Sequence, residues 1–122
     1  MTGIAAKFIG VSPVTAISLQ GDAKTTVATA GTTQATATAL GEVINVVSTS
    51  TADQGVRLFA NGAIIGDQQW VYNNTANQIK VYPPVGWKIN QISANGSMTL
   101  APSTSCMFIY VSSTLIVGNL SA

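Results

Sequence analysis

The chain has 122 residues, 47% of them hydrophobic and 7% charged, with a net charge of +1, one cysteine and no histidine. That length fits a single domain able to bury roughly two-thirds of its unfolded surface, although an apolar share that leans on alanine keeps the core thin. No histidine is available, Asp22, Glu42, Asp53 and Asp67 stand apart from one another, and Lys7, Lys24, Arg57, Lys80 and Lys88 form no run; the pattern argues against acid–base catalysis, a metal or other cofactor, nucleic acid and an anionic membrane.

In chain order, residues 1–24 read as a separate N-terminal segment ahead of one domain over 25–122. Ile4, Phe8, Ile9 and Val11 precede Pro13, an alternating stretch runs from Val14 to Leu19, and Gln20-Gly21-Asp22 is a turn. Two readings stand: an extra edge strand on the same domain, or an extended arm that adds as a strand to a neighbouring subunit. Lys7 breaks the apolar run, so a signal peptide is not expected.

From residue 33 onward the periodicity is two, with no helical stripe. Strands are expected over 33–40, 43–49, 55–59, 69–73, 78–82, 88–92, 97–101, 106–111 and 115–117. Asn61-Gly62 and Asn95-Gly96 read as tight hairpin turns because both pairs tolerate positive φ. Pro83-Pro84 should end the strand before it, since neither can donate to a ladder, and Gly86 should let the chain reverse. Many short strands at such spacings imply an all-β fold, an antiparallel β-barrel or jelly-roll-like sandwich. Residues 89–122 carry no charge, yet Ser, Thr, Asn, Gly and Pro interrupt them too often for a membrane-spanning helix.

Few side chains offer chemistry. Cys106, in Ser105-Cys106-Met107-Phe108-Ile109-Tyr110, reads as a small hydrophobe in a buried strand, with no histidine to activate it. Three Asn-x-Ser/Thr triplets, beginning at Asn73, Asn95 and Asn119, fit chance in a chain this rich in those residues. Trp70 and Tyr72 fall on one face of a strand and could plug a barrel end. Trp87, beside Tyr82 and the Pro-Pro-Val-Gly turn, is a packing or interface residue ahead of a platform for a sugar ring. Arg57 is either a solvent-facing member of the alternation or a fork that ties two chains through carboxylate or carbonyl oxygens; in the second case Glu42 or Asp53 is its natural partner, within or between chains.

Gly31-Thr32-Thr33-Gln34-Ala35-Thr36-Ala37-Thr38-Ala39-Leu40, Asn45-Val46-Val47-Ser48-Thr49, Gly55-Val56-Arg57-Leu58, Val71-Tyr72-Asn73-Asn74 and Val81-Tyr82-Pro83-Pro84-Val85-Gly86-Trp87-Lys88-Ile89-Asn90 follow one another in an order that resembles small virion proteins of tailed bacteriophages. The resemblance covers about Gly31 to Val111 and rests on the whole pattern. It implies an all-β structural protein, made in the host cytoplasm, that assembles commonly as a trimer. It further implies a place on the capsid surface against the major capsid protein, as a decoration or cement protein. The alternative is a tail or fibre component that meets host glycan through a receptor-binding module. In the capsid reading Ile4, Phe8 and Ile9 anchor the arm, and Arg57, Tyr82 and Trp87 are interface candidates.

Overall fold

A computed structural model describes residues 22–60 and 63–121. Within them lie ten strands and no helix: β1 (Ala23–Ala28), β2 (Thr38–Ala39), β3 (Ile44–Thr49), β4 (Gly55–Arg57), β5 (Gln68–Asn73), β6 (Ile79–Tyr82), β7 (Lys88–Ile89), β8 (Met98–Leu100), β9 (Ser105–Tyr110) and β10 (Leu115–Leu120). The all-β expectation holds.

The strands form a six-stranded sheet in the order β1-β3-β5-β9-β10-β7 and a four-stranded sheet in the order β2-β4-β6-β8. The chain alternates between them, so its first part is a winding in which each turn contributes one strand to each sheet. Ile44 lies between Ala23 and Trp70 in the larger sheet, and Val56 lies between Thr38 and Val81 in the smaller one, all in parallel register. A strand crossing through the opposite sheet does here what a helix does in other parallel connections. The late strands reverse the pattern: β8 runs antiparallel to β6, and β9 antiparallel to both β5 and β10. The expected antiparallel barrel or jelly roll is therefore corrected to a two-sheet winding in which five of the eight strand pairings are parallel. Period-two alternation marks a strand with one buried face and carries no information on the direction of its neighbour.

Between the sheets the core is continuous. Val27, Val47, Val71, Phe108, Tyr110 and Ile116 of the larger sheet face Val56, Ile79, Val81, Met98 and Leu100 of the smaller one. Polar side chains are buried with them, because a chain that turns from sheet to sheet leaves corner carbonyls with no ladder partner. Asn73 donates to the carbonyls of Asn77 and Leu100 at 2.8 and 3.1 Å. Asn45 and Gln69 both donate to the carbonyl of Glu42, at 2.8 and 2.9 Å.

Two local expectations are corrected. Most of 33–40 is a turn held by Thr33 and Thr36, whose backbone and hydroxyls bond one another, and only Thr38–Ala39 is strand. Asn95 does take positive φ, 66°, but β7 and β8 belong to different sheets, so Asn95-Gly96 is a corner and not a hairpin. The Asn95 side chain accepts from the Gly86 amide at 2.6 Å and ties that corner to the turn after Pro84. Pro83 follows the last residue of β6, and Gly86 reverses the chain at φ 87°, as expected. Asn61-Gly62 and most of the 1–24 segment lie outside the described residues.

Candidate interaction surface

The six-stranded sheet has a second apolar face. Alternation that sends Val47, Val71, Phe108 and Ile116 inward sends Ile44 and Val46 of β3, Trp70 and Tyr72 of β5, Met107 and Ile109 of β9, and Leu115 and Val117 of β10 outward. Register joins them into rows: Ile44 beside Trp70 beside Met107, Val46 beside Tyr72, and Ile109 beside Val117. Trp70 and Tyr72 stack on each other, ring centroids 5.9 Å apart and planes 8° from parallel. A shallow depression lies between Val43, Ile44, Gln68, Trp70 and Met107. These eight positions carry no charge, and the flanking Gln68, Ser48 and Asn119 are neutral, whereas at the β7 edge the exposed Lys88, in register with Leu115, places a charge on the same face. A partly exposed face whose central strands carry no charge, with an aromatic pair at its middle, is suited to burial against another protein surface.

A smaller apolar patch sits on loops at one end of the molecule. Ile64 and Ile65 are 54% and 71% exposed and line a depression with Trp87, Ser112 and Ser113. Asp67 fixes this loop from beneath: its buried carboxylate accepts from the Ile64 amide at 2.9 Å, and its carbonyl accepts from the Tyr110 amide.

The residues singled out from sequence fall in other places. Tyr82 is 7% exposed; its hydroxyl donates to the Thr32 carbonyl at 3.0 Å, and its ring lies against Gly55, where an added Cβ would come within 2.7 Å of it. Tyr82 therefore serves the core of this chain. Arg57 is half-buried and donates to the Gln34 carbonyl at 3.1 Å, so it ties the 33–36 turn to β4 and does not take Glu42 or Asp53 as the hydrogen-bond partner of this guanidinium. Trp87 packs on the core with its ring edge-to-face against Tyr110, centroids 5.4 Å apart. That half-buried setting leaves it one free margin, shared with Ile64 and Ile65. Ile4, Phe8 and Ile9 lie outside the described residues. Trp70 and Tyr72 share a face as expected, but that face is the outer one, so they plug no barrel end.

Burial holds two core groups, the Cys106 thiol and the Tyr110 hydroxyl, in their neutral forms. Burial pushes the Cys106 thiol up to about 12, and a 3.9 Å approach to the Met98 sulfur completes its apolar setting. Burial, with a smaller contribution from the charge of Asp67, also pushes the Tyr110 hydroxyl well above its ordinary value; that hydroxyl donates to the Phe59 carbonyl. Both groups serve as packing atoms. Among the described residues no three metal-ligating side chains gather. Compared with protein-family models, with curated proteins and with solved structures, the chain shows no significant match.

Proposed function

We propose that this protein is a virion structural protein of a tailed bacteriophage, a decoration or cement protein that assembles as a homotrimer on the capsid surface. The observation that carries the reading is the uncharged apolar outer face of β3, β5 and β9, with Trp70 stacked on Tyr72 at its centre. An exposed apolar patch of this kind is suited to being covered by another surface, and copies arranged about a threefold axis can meet over its uncharged centre. The sequence resemblance supplies the setting, a phage head assembled in the host cytoplasm. The action is mechanical: each trimer bridges neighbouring copies of the major capsid protein and adds buried area that the bare shell lacks, so the shell resists heat and internal pressure. Ile4, Phe8 and Ile9 are the anchors that reach the capsid.

The test is binding of the purified protein to undecorated, expanded phage capsids, followed by co-sedimentation and heat challenge. Saturable binding with a raised shell melting temperature is expected. A folded oligomer that neither sediments with capsids nor protects them overturns the cement role and moves the search to tail components.

A further inference from the structure

The smaller sheet carries a cleft of its own, away from the outer face of the larger one. It opens where β2 and β4 end, between residues 39–41, residues 57–60 and the turn at Pro84-Val85, and its volume is about 560 Å³. That volume is in the range of small-molecule sites. Small residues make the room: Ala39 stands in register beside Arg57, and a Cβ added to Gly41 would meet nothing within 4 Å. Phe59, Pro84 and Val85 contribute apolar walls.

Arg57 is the one charged residue among those that line the cleft. Val56 points into the core at 0% exposure, so Arg57, the next residue of β4, stands half-buried on the outer side of its sheet. Its Nη1 donates to the Gln34 carbonyl at 3.1 Å, its one hydrogen bond among the described residues. Gln34 is itself fixed, because its Nε2 donates to the Pro83 carbonyl at 2.8 Å and to Asn95 Oδ1 at 3.2 Å, and that same oxygen accepts from the Gly86 amide. One network therefore holds both the guanidinium and the Pro84-Val85 wall, so the cation is oriented before any ligand arrives. Nε and Nη2, the edge of the fork that grips a carboxylate with two parallel hydrogen bonds, are left for a ligand.

A single cation in an apolar recess favours a monoanion. A phosphate dianion would bring a second charge against Phe59 and Pro84 with no cation to match it, whereas a carboxylate is matched by one fork and its stem can lie on the walls. We propose that this cleft binds a small organic acid, a carboxylate on an apolar stem, with Arg57 as its anchor. The inference concerns the smaller sheet alone and does not depend on the virion reading.

Titration of the full ¹⁵N-labelled chain with benzoate, benzamide and inorganic phosphate at fixed ionic strength tests it by NMR. Benzoate should shift the Arg57 Nε–H and the Gly41 amide saturably, with a Kd on the order of 1 mM, which a ligand this small can reach. Benzamide, which has the shape without the charge, and phosphate should each bind at least about tenfold more weakly, the scale of one hydrogen bond to a charged group. Arg57→Lys keeps the charge and loses the fork, and should weaken benzoate by about tenfold. Ala39→Phe leaves the guanidinium in place and fills the cleft from an exposed position, and should abolish saturation. The proposal falls if benzamide or phosphate binds as tightly as benzoate, since the cleft is then only an apolar recess or an unselective anion contact. It falls as well if Arg57→Lys or Ala39→Phe binds benzoate like the native chain, or if the shifts stay linear to about 20 mM, far above the expected Kd.

Discussion

The two faces of the six-stranded sheet are nearly equal in apolar character and opposite in circumstance. Inward, Val47, Val71, Phe108 and Ile116 meet the smaller sheet and are fully buried. Outward, Ile44, Trp70, Tyr72 and Met107 meet no other element among the described residues and stay partly exposed. Polar atoms distinguish the faces in an unexpected direction, because Asn45, Gln69 and Asn73 lie on the inner one at 0% exposure. Their amides cover corner carbonyls that no strand can reach. The buried amides are thus a consequence of the winding, whereas the outer aromatics cover no corner carbonyl and stack on each other.

The largest effect should come from the inner face. Phe108→Ala removes a fully buried ring next to Cys106, Met98 and Gly118, and should cost about 3–5 kcal/mol, seen as a lower urea midpoint at unchanged slope. A loss under about 1 kcal/mol would mean that the core is not packed as described. On the outer face the ranking should invert. Trp70→Ala with Tyr72→Ala should lower folding stability by only about 1 kcal/mol, the scale of a stacked aromatic pair. It should weaken self-association or capsid binding by about 2 kcal/mol or more, close to 30-fold in Kd. Sedimentation velocity and capsid co-sedimentation separate the two. If the double variant assembles like the native chain, the outer face is not the interface.

Asn73→Ala probes the polar part of the inner face. It strips the donors to the Asn77 and Leu100 carbonyls and the acceptor for the Thr75 amide and hydroxyl. Stability should fall by about 1–3 kcal/mol, the range for buried groups left unsatisfied. Asn73→Leu, which keeps the volume, should do no better, because the carbonyls stay unsatisfied in either case. Recovery with leucine would show that the amide only fills space.

How much of this was legible beforehand follows the same physics. β3, β5, β6, β8 and β9 lie close to their expected ranges, since each alternates positions along the strand and carries β-branched, aromatic or other large apolar side chains. The 33–40 stretch also alternates, but between alanine and threonine, so neither face has burial to gain, and threonine hydroxyls draw the backbone into a turn. β1 was hidden for the converse reason. Ala23-Lys24-Thr25-Thr26 has no apolar pattern, and the strand exists through backbone pairing with β3 and the single anchor Val27. The outer face was half legible: Trp70 and Tyr72 could be placed on one side, but which side needs the partner strands, and the parallel winding was not visible in any local motif.

The smallest effect concerns protons on the inner face. Cys106 has an ordinary value of 9.0, raised by burial to about 12 in the fold, so the folded state holds its proton over a range where the unfolded chain releases it. Below about pH 9 both states keep the proton and stability does not depend on this group. As pH rises from 9 toward 12 the unfolded chain is the one that binds fewer protons, and stability falls. Tyr110, also raised, pulls in the same direction from its ordinary value of 10.0 upward. Urea midpoints should therefore be flat between pH 7 and 8.5 and decline by pH 10.5, with a shallower decline in Cys106→Ala, where only the tyrosine contribution is left. Trp70 and Tyr72 on the outer face should leave that alkaline slope alone. An equal slope in native protein and Cys106→Ala would mean that the thiol reaches solvent in the folded state, and the inner face would then be no drier than the outer.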